Sequence, residues 1–248
     1  MLLALDTSTR YAGVALANED RVLASHAWHS TYNHTAELMP AVVNILEHGG
    51  LTAGELDGVA VALGPGGFSA LRVGISAAKG LALVAKKPII GVGTLDLEAY
   101  AYIDSGIPVC ALLEAGREEC ATALFSPDGV RLREDRVCTA EELMTEVTNG
   151  IPSPTIFCGE GGDAGREQIS GALGDHAQIV TPVPASRAWA LAVIGQKRLA
   201  AGEFDDLVTL QPEYLRMPSI GVPKKRGRVP QCRRVPRSRR NVRGQVRQ

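Results

Sequence analysis

Residues 62–80 read ALGPGGFSALRVGISAAKG, and the second half of this stretch constrains the fold more than any other feature. An apolar strand-like run, Val59 to Leu63, leads through Gly64, Pro65, Gly66 and Gly67 into small apolar residues with helical spacing. Between Ser69 and Lys86 the polar stripe is only Arg72, Ser76 and Lys79, spaced four and three on one face. A helix apolar on its other faces must be covered on more than one side. Ala70, Gly74, Ala78 and Ala82 recur every four residues as a smooth ridge for close packing. The segment 35–48 has the same excess, since Leu38, Met39, Val42, Val43, Ile45 and Leu46 span more arc than one core contact needs. Two readings stand level: a pair of central core helices, or a two-helix surface that docks onto a partner chain.

Strand, glycine loop and helix also make up many phosphate sites, because glycine lets backbone approach closely and a helix start offers N–H groups to an anion. The spacing fails that test here. There is no GxxxxGK[ST], and Lys79 lies too far along the helix. Ser69 stands where a dinucleotide fingerprint needs its third glycine, and no acid follows Gly64 before Asp96. A structural turn is the better reading.

The chain opens with LLALD (2–6), a polar turn, GVALA (13–17) and RVLASHAW (21–28), three successive strands joined by short turns. Helices follow at 35–48 and 69–85, with Pro40 expected near the first turn of the former and the strand 59–63 between them. Thr52 with Glu55 and Thr139 with Glu142 have the spacing of capping boxes. In the second half, VCALLEA (109–115) and ECATALF (119–125) form a hairpin, TIFCG (155–159) a buried strand, and 186–201 a last helix. This reduced repetition predicts an α/β protein of two lobes, 1–107 and 108–222, followed by a tail, 223–248.

The 248 residues, 45% hydrophobic and 21% charged, suit one large domain or two small ones. No segment of membrane-spanning length is free of charge, and no basic, apolar leader pattern is present, so a cytoplasmic protein is expected. Five cysteines without a CxxC pair fit reduced thiols. Of 26 Lys and Arg, 11 fall after residue 222, leaving 15 against 27 acids, a net charge of −12, on the rest. The arginine-rich tail reads as disordered, and nucleic-acid contact and an incidental extension stand level for it.

In DTSTR, Asp6, Thr7 and Ser8 either hold a hydrated metal and phosphates or bond their own backbone, the latter being favoured. His34 beside Glu37 lacks a second histidine one turn on, position 38 being leucine, so a solvated or capping role is expected. No nucleophile elbow or triad supports a hydrolase.

Taken together, LALDTSTRYAGVAL, HTAELMP, LTAGELDGVAVALGPGGFSALRVG and PEYLRMPSIGVPKK resemble the TsaB (YeaZ-like) family over residues 2 to about 225. That family is the non-catalytic partner in bacterial synthesis of the threonylcarbamoyl modification on the tRNA adenosine beside the anticodon. The resemblance implies a two-lobed actin, sugar-kinase and heat-shock-ATPase-like (ribonuclease H-like) fold with a reduced second lobe. It implies docking onto TsaD, the catalytic subunit, with the ATPase TsaE joining, a homodimer when TsaD is absent, and tRNA reached through the complex, the basic tail being an open route. No catalytic residue, cofactor or metal is implied. The docking pair would be the helices after His34 and after Ser69, with Leu38, Val42, Ile45, Leu71, Ile75, Ala78 and Ala82 as interface residues and Asp6, Thr7 and Ser8 as a degenerate phosphate loop. Ala78→Arg is then expected to abolish docking while leaving the monomer folded. TsaD relatives carry HxxxH where this chain has HTAEL, so it resembles the partner and not the enzyme. The family's GPGSFTGLR is GPGGFSALR here and its DAR is EAGR at Glu114 to Arg117. The rivals are a small-molecule kinase using Asp6, Thr7 and Ser8 with CGEGGDAG (158–165), a peptidase, and an RNA-binding module resting on the tail.

Overall fold

In a computed structural model of the chain, β1 (Leu2–Asp6) is buried at every residue, and its side chains alternate between two helical layers. The structure describes residues 1–19, 21–152, 154–181 and 186–216; the tail 223–248 lies outside them. Leu3 and Leu5 face one side with Val14, Leu16, Val59 and Val61, while Leu2 and Ala4 face the other with Ala15, Ala17, Ala60 and Ala62. The large-residue face takes α1 (His34–His48) and α2 (Phe68–Ala85). The alanine face takes α7 (Ser186–Ala201), whose Ala188, Ala192 and Gly195 let its backbone come close.

The sheet has the order β3-β2-β1-β4-β5, with β2 (Tyr11–Asn18), β3 (Arg21–His29), β4 (Gly58–Gly64) and β5 (Ile89–Gly93). The β1–β2 and β2–β3 pairs are antiparallel, and β1–β4 and β4–β5 are parallel. After α3 (Thr94–Tyr100), the second sheet repeats this topology in the order β10-β9-β6-β7-β8. Its hairpin strands β6 (Val109–Gly116), β7 (Glu119–Phe125) and β8 (Arg131–Thr139) are antiparallel, and its parallel strands shrink to β9 (Thr155–Cys158) and β10 (Ala177–Ile179). Helices α4 (Ala140–Asn149), α5 (Glu160–Ala164) and α6 (Arg166–Leu173) complete this part, and both sheets belong to one compact unit. Two such sheets, the second reduced, are the actin, sugar-kinase and heat-shock-ATPase-like arrangement of the ribonuclease H-like fold.

Both capping boxes form, at Thr52 with Glu55 and at Thr139 with Glu142. Three strands, β5, β8 and β10, and the helices α3, α5 and α6 were not foreseen. Pro40 sits inside the second turn of α1 and not near its start, on an exposed face where the lost N–H costs little. By length and composition α2 could cross a membrane, but its inner face is taken up by the first sheet.

The glycine loop bends the chain from β4 into α2 against the β1–β2 turn. Gly67 N–H donates to Ser8 O at 2.8 Å, and Thr7 Oγ1 donates to Ala70 O at 2.7 Å. A Cβ on Gly66 would lie 2.2 Å from Ser8 O, and one on Gly74 2.4 Å from Thr7 Oγ1. Gly66→Ala therefore forces backbone apart and is expected to cost about 2–3 kcal/mol, read as a lowered denaturant midpoint at unchanged m-value. An unchanged midpoint would show that this close approach contributes nothing.

Candidate functional site

The floor between the two sheets is a buried ionic cluster centred on Arg187, which opens α7 and is 3% exposed. Its Nε donates to Asp6 Oδ2 at 2.7 Å and its Nη1 to Glu98 Oε1 at 2.6 Å and Glu160 Oε1 at 3.3 Å. Nη2 donates to Thr9 Oγ1 at 2.7 Å and to Tyr11 O. Five contacts match the five N–H donors of a guanidinium, so the buried charge is satisfied throughout its fork. The acceptors come from the end of β1, the turn after it, the start of β2, α3 and α5, so one side chain ties both halves together.

Asp6 is consumed by this arrangement. Its Oδ1 accepts from Ser8 N at 2.8 Å and Ser8 Oγ at 2.6 Å, and its Oδ2 from Arg187. A carboxylate bonded on both oxygens, at 1% exposure, presents no face to a hydrated metal. Burial raises the Glu98 carboxyl above its ordinary value, with Arg187 opposing. Burial works against the charge of Arg187 too, but Asp6, Glu98 and Glu160 overcome it and strengthen its hold on the proton. Among the described residues, no cluster of three or more His, Cys, Asp or Glu could hold a metal.

Above this floor lies a cleft of about 440 Å³, lined among others by Arg10, Tyr32, His34, Gly66 and Glu160. Arg10 stacks on the Tyr32 ring at 4.6 Å. His34 is buried, contrary to the expected solvated or capping role, and its Nε2–H donates to Thr9 O at 2.9 Å. Because a carbonyl only accepts, Nε2 carries the proton. CGEGGDAG runs from the end of β9 into α5. Gly159, with φ of 89°, starts α5 and places Glu160 beside Arg187.

The helix faces differ from the sequence expectation. Leu38, Val42, Ile45, Leu71, Ile75, Ala78 and Ala82 are each at most 5% exposed and pack in the chain's own core, so they offer no surface to a partner. The sheet covers the side of each helix on which these residues align. Away from that side, Met39 at 42%, Val43 at 47%, Leu83 at 66% and Val84 at 83% are exposed, with Gly80 also exposed. Ala78→Arg would accordingly place a charge in the core and damage the monomer itself. The polar stripe of α2 binds the C-terminal segment: Lys79 Nζ donates to Val208 O at 3.1 Å, Arg72 Nε to Tyr214 Oη at 3.2 Å, and Arg72 stacks on Phe68.

Sequence reasoning missed Arg187, Glu98 and Glu160. The available signal was an arginine in the otherwise apolar RAWALAVIG and a glutamate in LDLEA, just after the apolar run IIGVG.

Comparison with known proteins places these features. The chain is 30% identical over 222 residues to the tRNA threonylcarbamoyladenosine biosynthesis protein TsaB of Bacillus subtilis, a match covering 87% of this chain and 94% of that one. To the protein of the same description in Escherichia coli it is 42% identical over 94 residues, 38% of this chain and 40% of the other. YeaZ from Pseudomonas aeruginosa superposes with a TM-score of 0.69 at 25% identity, covering 86% of this chain and 98% of YeaZ. The family model of TsaD, tRNA N6-adenosine threonylcarbamoyltransferase, matches residues 23–215.

Proposed function

Because the chain belongs to the TsaB family of tRNA threonylcarbamoyladenosine biosynthesis proteins, we propose that it is the non-catalytic subunit that docks onto TsaD and holds it in an active shape. The reading is carried by one observation: the outward face of α1 and α2 is apolar at Met39, Val43, Leu83 and Val84, beyond what the chain's own core uses. An amphipathic helix normally turns charges to water on that side. The locked Asp6 supports the absence of chemistry of its own, with Asp6, Thr7 and Ser8 as the remnant of a phosphate loop. TsaE joins the pair, tRNA is reached through the complex, and a homodimer covers the same face when TsaD is absent. Residues 1–107 form the docking lobe and 108–222 the reduced lobe of this subunit of a cytoplasmic complex.

Reconstitution tests this. TsaD and TsaE with tRNA and the threonylcarbamoyl donor are expected to modify adenosine only when this chain is added, and equal modification without it would refute the assignment. Titrating the isolated chain with ATP and magnesium is expected to release no binding heat. Tight, saturable binding would favour a kinase of the same fold.

A further inference from the structure

Cys120 and Cys138 meet across the β7–β8 hairpin. They are direct partners in its antiparallel register, and their Sγ atoms are 3.5 Å apart without a bond between them. Direct partners on one face of an antiparallel pair have Cβ atoms about 4.5–5.5 Å apart, close to the roughly 3.5–4.5 Å that a disulfide needs. The two sulfurs can therefore meet with little movement of the strands. Cys120 is partly open to solvent and Cys138 is buried. The hydrogen bond from Cys120 holds the Cys138 thiol below its ordinary value, with burial opposing and Arg136 assisting. The same contact, with burial, holds Cys120 above its ordinary value, so the labile proton is shared within the pair. Cys110 and Cys158 differ in access: burial pushes Cys110 up to about 12 and Cys158 well above the usual thiol range, and neither contacts solvent.

We propose that Cys120 and Cys138 are an oxidative modification site, closed reversibly into a cross-strand disulfide by a low-molecular-weight disulfide of the glutathione type. The pair loses one proton, and transfer along the S–H···S contact brings the thiolate to the accessible Cys120 Sγ. That thiolate attacks one sulfur of the small disulfide, whose S–S bond breaks and releases one small thiolate, protonated by water. Cys138, giving its proton to solvent, then attacks Cys120 Sγ in the mixed disulfide and expels the second small thiol. The cysteines lose two electrons together, and the small disulfide gains them as two thiols. The product ties the edge strand β8 to β7.

The full chain carrying Cys232→Ser, so that the tail thiol does not compete, is equilibrated with graded ratios of oxidised to reduced glutathione, alkylated and digested with trypsin. As the ratio rises, Cys120 and Cys138 should lose alkylation in parallel, and the tryptic peptides Glu118–Arg131 and Val137–Arg166 should appear linked, with fragmentation placing the bond at Cys138. A dithiol should restore both. Adding Cys138→Ser should leave a lasting glutathione adduct on Cys120, whereas adding Cys120→Ser should leave Cys138 unmodified. The proposal is overturned if both thiols stay alkylatable at the most oxidising ratio. A bond formed to Cys158 instead, or an adduct persisting on Cys120 with Cys138 intact, would overturn it as well.

Discussion

Replacing Arg187 by methionine is expected to lower the stability of the fold by about 3–5 kcal/mol. Methionine matches much of the arginine volume, so packing is largely kept and the loss is electrostatic. Asp6 and Glu98, at 1% and 4% exposure, would remain as carboxylates without their counter-charge, and Thr9 Oγ1 and Tyr11 O would each lose the bond from Arg187. The pH dependence identifies the cause. In the wild-type chain Glu98 already has a raised carboxyl pKa, from burial. A carboxyl whose folded pKa is raised favours the folded state below its unfolded value, and that contribution is lost as pH rises through the folded one. Without Arg187 the upward shift of Glu98 grows, so the deficit should be greatest at neutral pH and shrink on acidification through the raised pKa. Thermal or denaturant melts of both proteins between about pH 4 and 8 measure this. A deficit under 1 kcal/mol, or one independent of pH, would show that the cluster is not what joins the two halves.

Gly80→Arg is expected to weaken association with TsaD by about 30- to 1,000-fold, the effect of roughly 2–4 kcal/mol lost at the centre of an interface. The position separates docking from folding. Gly80 lies inside α2 on its exposed face, and a Cβ there would meet nothing within 4 Å. Arginine in place of glycine in a helix interior also gains up to about 1 kcal/mol of propensity. The variant monomer should therefore melt at or above the wild-type temperature while its docking face, beside Leu83 and Val84, carries a desolvated charge. Ala78→Arg cannot serve, because its side chain would enter the core. Wild-type affinity for Gly80→Arg would remove the outward face of α2 from the interface.

What was legible in the sequence was local. The capping boxes, the bend at GPGG and the first hairpin depend on residues a few positions apart, and each formed where the spacing put it. β8 escaped notice because it is an edge strand reading RLREDRVCT, where charges at Arg131, Arg133, Glu134, Asp135 and Arg136 hide the alternation. IIGVG of β5 is a short apolar run between two helices, which periodicity alone cannot assign. The surplus apolar arc of α1 and α2 was correctly seen, but a helical wheel does not say which arc the sheet will cover. Leu38, Val42 and Ile45 turned inward and Met39 and Val43 outward. Arg187 meets Asp6 across 181 residues, a pairing that no local pattern announces.

Calorimetric titration of the full chain into TsaD from the same cell measures whether the outward face of α1 and α2 is the docking surface. Saturable binding that Gly80→Arg weakens at least 30-fold, with both monomers equally folded, is the predicted result. The absence of saturable binding by the wild-type chain, or equal affinity of the two proteins, would contradict it.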